Sequence, residues 1–148
     1  MGRGASAMVV LDTDHLSLLQ WNVGTEGRRL AQRLAVIPAD EIVTTIINFE
    51  EQMRGWLSYL GKARTVTQQI DAYNRLTRHL EYYRQIPVLS FDETAAVEFH
   101  HLRKQHRRVG TMDRKIAAIV LSAGATLLSR NLSDFGRIEG LKTEDWTL

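Results

Sequence analysis

The chain has 148 residues, 44% of them hydrophobic and 24% charged, with a formal net charge of +2 and no cysteine. That suits one globular domain with a real core and excludes disulfides and cysteine-based zinc sites. No apolar run approaches a membrane span and no apolar signal region follows Met1, so a cytoplasmic protein with no membrane partner is expected.

Residues 1–7 read as a flexible leader or an expression scar, with a natural start at Met8 and one domain over 8–148. Met8 to Leu11 is a short apolar strand that stops abruptly at Asp12-Thr13-Asp14-His15. Leu16, Leu18, Leu19 and Trp21 follow as a helical turn that Gly24 is expected to end. Glu26 to Val36 carries Leu30, Leu34 and Ala31 at helical spacing, until Pro38 breaks it. Glu41 to Ile46 reads as the second strand. Asn48-Phe-Glu50-Glu51 has the form of a capping box opening a helix through Met53, Trp56, Leu57 and Leu60 to Gly61.

Val66, Ile70, Tyr73, Leu76, Leu80 and Tyr83 step at three or four residues and predict a long amphipathic helix over 65–85. Pro87 to Leu89 is a brief third strand, and Asp92 is placed to cap a helix carrying Ala95, Val97, Phe99 and Leu102. From Gly110 onward the chain is most informative. Thr111 is expected to cap a helix with Asp113 in its first turn, and Met112, Ile116, Ala117, Ile119, Val120 and Ala123 make that helix mostly buried. Gly124 stands where a left-handed residue ends a helix. Ala125 to Leu128 is a strand without a wet face, which implies a parallel sheet covered on both sides. Ser129, Arg130, Asn131 and Asp134 follow, and residues 140–146 supply a short edge strand. Strands alternating with helices imply βαβ units and a mostly parallel α/β fold.

Acids recur where such a fold binds ligands, at the carboxyl ends of the strands. Asp12 ends the first strand, Glu51 lies in the first turn after the second, Asp113 opens the helix feeding the fourth, and Asp134 follows that strand. Taken singly, Glu51 could complete a capping box, Asp113 could answer a helix dipole, and Asp134 could cap a turn. Asp12 directly after a buried strand needs a partner. Crowded carboxylates must protonate or share a cation, and an all-oxygen donor set without Cys or a His pair favours Mg²⁺ or Mn²⁺.

These motifs, Val10-Leu-Asp12-Thr-Asp14-His-Leu16, Thr45-Ile-Ile-Asn48-Phe-Glu-Glu51-Gln-Met-Arg-Gly55, Gly110-Thr-Met-Asp113-Arg-Lys-Ile-Ala-Ala118, Ser129-Arg-Asn131-Leu-Ser-Asp134-Phe135 and Gly140-Leu-Lys-Thr-Glu-Asp-Trp146, resemble in order and spacing the PIN-domain family, and within it the VapC-like toxins of toxin–antitoxin pairs. The resemblance covers essentially 8–148. It implies a three-layer α/β/α sandwich on a four- to five-stranded sheet, and a Mg²⁺-dependent endoribonuclease, usually a homodimer, silenced by a cognate protein antitoxin. Asp12, Glu51 and Asp113 match the family's three acids; Glu51 rather than Glu50 fits because it precedes Gly55 by four residues. Asn131 stands where many members have an acid, so the fourth acidic role falls to Asp134 or to Asn131 itself. Thr13, Asp14, Ser129 and Asn131 are candidates for orienting ligands or phosphate.

Arg103, Lys104, Arg107, Arg108, Arg114 and Lys115 form a positive run beside Asp113, read as contacts to RNA phosphates. His100, His101 and His106 lack the partners of a zinc site and are expected to be solvated. Two rival readings remain. One is a haloacid-dehalogenase-like phosphatase using Asp12 as nucleophile, which would need a later lysine and an acid pair that the Ser129–Phe135 motif lacks. The other is a catalytically silent RNA-binding domain.

Overall fold

A computed structural model of the chain describes residues 7–21 and 24–148. The leader assigned to residues 1–7 therefore lies, apart from Ala7, outside the described residues. Strands β1 (Val9–Leu11), β2 (Ile42–Thr45), β3 (Val88–Leu89), β4 (Thr126–Leu128) and β5 (Lys142–Glu144) form one sheet in the order β3-β2-β1-β4-β5. Every neighbouring pair is parallel. The helices are α1 (Thr13–Trp21), α2 (Gly24–Leu34), α3 (Ile46–Gly61), α4 (Val66–Tyr83), α5 (Glu93–Gln105), α6 (Thr111–Ala123) and α7 (Leu132–Phe135). None of the described helices is long and apolar enough to cross a membrane.

The central strands β1 and β4 are apolar and buried because both sheet faces are covered there, whereas the edge strand β5 is Lys-Thr-Glu and largely exposed. Successive side chains point to opposite faces, and the core divides accordingly. Val10, Val43 and Leu127 join Ile116, Ile119, Val120, Leu102 and Phe135 under α5 and α6. Val9, Leu11 and Leu128 join Leu16, Leu30, Leu34 and Trp146 under α1 and α2. This is an α/β/α sandwich. The chain leaves β1 toward β2 on one side and returns to β4 on the other, so the carboxyl ends of β1 and β4 flank a topological switch point, where open α/β sheets bind ligands.

Several local expectations are corrected. Gly24 opens α2, with φ +57, instead of ending α1. Within α2, Leu30 and Leu34 are buried but Ala31 is exposed. Helix α3 starts earlier than the Asn48 motif indicated: its cap is Thr45, whose hydroxyl accepts from the Ile47 and Asn48 N–H groups. Ile46 and Asn48 are therefore helical, and Glu51 serves no capping box. Thr111 is the first residue of α6, not its cap; Gly110 holds that position without a side-chain bond. Asp92 does cap α5, accepting from the Ala95 N–H, and Gly124 ends α6 at φ +64. Helix α4 forms over its expected length, but Val66, Ile70, Tyr73 and Leu80 face solvent, while Ala72 and His79 are its buried residues.

Candidate active site

Asp12 continues β1 by one residue, its N–H donating to the Leu128 carbonyl at 2.9 Å. Its side chain is 8% exposed and both oxygens are held. Asn48 Nδ2 donates to Oδ1 at 2.8 Å, and Ser129 Oγ donates to Oδ2 at 2.7 Å. Ser129 is itself fixed, since its N–H donates to the Glu144 carbonyl at 3.0 Å and its hydroxyl accepts from the Asn131 N–H at 3.0 Å. Asn48 is fully buried, and its Oδ1 accepts from Thr45 Oγ1 at 2.7 Å. Thr44 adds a tie from β2 to β1, donating to the Leu11 carbonyl at 2.8 Å.

Glu51 lies one turn beyond Asn48 on α3 and accepts from Thr13 Oγ1 at 3.2 Å; Thr13 in turn accepts from Asn48 Nδ2 at 3.1 Å. Glu50 points elsewhere and pairs with Arg54 at 2.6 Å. Asp113 is half-buried in the first turn of α6, and Asn131 Nδ2 reaches both Asp113 (3.5 Å) and Asp134 (3.3 Å). Asp14 lies beside this group, its Oδ2 3.4 Å from Ser129 Oγ. It accepts from His15 Nδ1 at 2.6 Å and from the Arg130 N–H at 2.9 Å, and so pins the loop after β4. Buried His15 accepts the Trp146 N–H on its other nitrogen at 3.1 Å, which ties α1 to the C-terminal segment.

The acids share one field. Burial pushes Glu51 up to about 7, helped by the charges of Asp12 and Asp113. Asp113 rises to about 6 through burial and then the charges of Asp12 and Asp134. Burial also raises Asp12, and neighbouring Asp14 adds to it, against the opposing bonds from Ser129, the Thr13 N–H and Asn48. Mutual destabilisation of ionised carboxylates at one edge is the condition a hard divalent cation relieves. The donors are carboxylates, hydroxyls and amides, chemistry that fits Mg²⁺ or Mn²⁺. Among the described residues no three His, Cys, Asp or Glu side chains are gathered as a finished cage.

The positive run divides. His100, Arg103, Lys104, Arg107 and Arg114 line a groove of about 500 Å³. Arg108 and Lys115 do not line it; the Lys115 ammonium sits 6.0 Å from the Phe91 ring centre. Arg114 is partly tied down by its bonds to the His106 carbonyl and Thr111 Oγ1. His100 and His101 are exposed, while His106 caps α5 and is half-buried, which corrects its reading as solvated. Thr44, Thr45, Asn48 and His15 join the site; the last three lie inside the motifs quoted above, yet none of the four is assigned a role there from sequence alone. The available signal was the Thr44-Thr45 pair ending β2, a cap signal that places Asn48 inside the helix.

The family model of the PIN domain matches residues 9–141. The chain belongs to the PIN-domain family. It is 29% identical over 141 residues to "Ribonuclease VapC1" of Haemophilus influenzae (strain R2866), covering 93% of this chain and 97% of that protein. The DNA-bound VapBC structure from Salmonella typhimurium superposes with a TM-score of 0.73 at 22% identity, covering 95% of this chain and 99% of that one. VapBC-5 from Mycobacterium tuberculosis, described as a member of the VapBC family of toxin–antitoxin systems, gives 0.59 at 26% identity, covering 95% and 98%.

Proposed function

We propose that this PIN-domain protein is a metal-dependent endoribonuclease and the toxin of a toxin–antitoxin pair. The observation that carries the reading is the convergence of Asp12, Glu51 and Asp113 on the switch point of the sheet, where burial raises all three pKa values and the charge of Asp12 adds to the rise at Glu51 and Asp113. The full-length likeness to a ribonuclease of the VapC kind supports the substrate class.

Asp12, Glu51 and Asp113 would hold the cation, with Asp134 directly or Asn131 through its bonds to both neighbouring acids. When bound, Mg²⁺ or Mn²⁺ supplies activation of the attacking water and charge stabilisation of the phosphoryl oxygens and the leaving oxygen. Asn48 and Ser129 fix both oxygens of Asp12, so this ligand needs little reorganisation. Thr13 orients Glu51. Arg103, Lys104, Arg107 and Arg114 present cations to the RNA backbone in the groove they line.

The phosphatase reading fares poorly on the same geometry. Lys115 does not supply the lysine such an enzyme would need, since its ammonium sits by the Phe91 ring and pairs with no acid among the described residues. The likeness to toxin–antitoxin complexes supports a protein antitoxin as partner, and the exposed stripe Val66, Ile70, Tyr73 and Leu80 offers apolar surface for a protein contact. A homodimer also needs such surface; light scattering on the chain alone and with antitoxin separates the two. The decisive experiment incubates the purified protein with single-stranded RNA and maps the new 5′ ends. Cleavage with Mg²⁺ that stops on chelation is expected, and no cleavage with either metal would sink the reading.

A further inference from the structure

A second cavity, of about 200 Å³, lies between α1, α3 and α4. Its walls include Gln20 and Trp21 of α1, Trp56 of α3, and Arg78, His79 and Glu81 of α4. Two polar groups in it have no partner among the described residues. Gln20 Nε2 is buried and free, because the amide is already fixed through its oxygen, which accepts from Gln52 Nε2 at 3.0 Å. His79 is 4% exposed, yet neither ring nitrogen has a hydrogen-bond partner. Its ring is stacked on Phe49 with centres 5.3 Å apart and lies 4.7 Å from Tyr83. Burial lowers its pKa, so it offers one N–H donor and one acceptor. Unpaired polar groups held this far from bulk water are costly.

The cavity adjoins a groove that reaches one of the acids, Glu51. A groove of about 360 Å³ runs along Thr13, Glu51, Trp21 and Trp56, so the two tryptophans border both spaces. Their rings are 5.7 Å apart, and the Arg78 guanidinium stands 4.2 Å over Trp21. Aromatic faces, a cation and unpaired donors and acceptors within one small cavity are the requirements for reading an unstacked base in single-stranded RNA.

We infer that this cavity receives one nucleobase of the RNA substrate close to the cleaved bond, read at its polar edge by Gln20 and His79 and set against the wall that Trp21 and Trp56 form together. The inference rests on the nuclease reading and gives it a source of sequence preference. A protein partner is the less suited occupant. The apolar surface such a partner would cover lies on the exposed stripe of α4, whereas this cavity offers buried hydrogen-bonding groups in search of a polar ligand.

The test compares the wild-type protein with His79→Phe, which can keep the ring stack, and with Gln20→Leu, which serves if the first variant does not fold. Each cleaves a pool of RNA randomised over a single-stranded stretch, with Mg²⁺, and the cut positions are sequenced. In parallel, tryptophan quenching by the four homopolymeric RNAs is measured under chelation. The wild-type protein should prefer a base at one position near the cut and show base-dependent quenching. Either folded variant should compress that preference, with cleavage of the preferred sequence falling about ten-fold. Cleavage with unaltered preference in both folded variants overturns the inference and leaves the nuclease reading standing. Base-dependent quenching that the variants lose, with no cleavage by the wild type, supports the cavity and overturns the nuclease reading.

Discussion

The acidic edge is held by buried hydrogen bonds, whereas most cations of the basic groove stand on the exposed end of α5 and the turn after it. Asp12 is gripped on both oxygens by Asn48 and Ser129, and Glu51 is tethered by Thr13. Arg103, Lys104 and Arg107 are exposed and form no ion pair among the described residues. Like charges forced together need a scaffold that resists their repulsion, while dispersed cations in water need none. The edge should therefore fail sharply when a member is altered, and the groove should fail by degrees.

The largest effect is expected at the acids. Glu51→Gln should lower cleavage on the order of 100-fold or more, beyond the usual loss for residues behind a metal's ligands. Glu50→Gln should retain most activity, since Glu50 faces Arg54. The reverse order would show that the wrong side of α3 had been assigned to the edge. Asp113→Asn should cost a similar factor in cleavage and in Mg²⁺ affinity by calorimetry. Its metal-free melting temperature should hold or rise, because one of the repelling charges is gone. Full activity with lowered stability would reduce Asp113 to a helix-terminus acid, worth about 0.3–1 kcal/mol.

Asn48→Ala tests the scaffold itself. Without the amide, Asp12 loses one of its two side-chain donors and Thr45 loses its acceptor. A loss of about 10–100-fold in activity is expected, with about 1–3 kcal/mol of stability, measured by urea unfolding. Unchanged activity would mean that the edge is not held as tightly as its bonds indicate.

In the groove, replacing Arg103, Lys104 and Arg107 by Ala should weaken RNA binding. It should also flatten the salt dependence, by roughly one unit of slope for each phosphate that is no longer neutralised. An unchanged slope would return these residues to the role of a solvated face.

The smallest effect is on the pH dependence of folding. Glu51 and Asp113 have folded-state values near 7 and near 6, above their ordinary values of 4.5 and 3.8. The native state therefore binds more protons than the unfolded chain between those limits. Metal-free stability should fall as pH rises from about 4 to about 7 and level off above. Mg²⁺ should counter that fall, because the ion takes the place of the protons. Metal-free melts that rise over this interval would contradict the crowding of the acids.

Where sequence reading worked, the signal was local. The strand Val9–Leu11, the cap Asp92, the left-handed Gly124 and the acids at strand ends depend on neighbours within a few residues. Where it went astray, a local pattern had two physical uses. Asn48 looked like a cap because Asn-x-x-Glu fits one, but Thr45 at the end of β2 took the cap and released the Asn48 side chain to grip Asp12. The stripe on α4 had the period of a core-facing helix, yet its Val66, Ile70, Tyr73 and Leu80 stay outside. Periodicity shows that a helix has an apolar side but not which side the rest of the chain covers.

The sequence by itself determined the order of elements, the parallel sheet and the placing of acids at the carboxyl ends of its strands, because apolar runs and turn residues act over one or two turns of chain. Only the tertiary structure decided which acids meet and what holds them. Asp12 joins Asn48 across 36 residues and Ser129 across 117, and that meeting follows from β1 lying between β2 and β4. The cavity beside Trp21 and Trp56 has the same origin, since Gln20 and His79 are brought together by the packing of α1, α3 and α4. Contacts at that separation are set by strand order and helix packing, which no local pattern encodes.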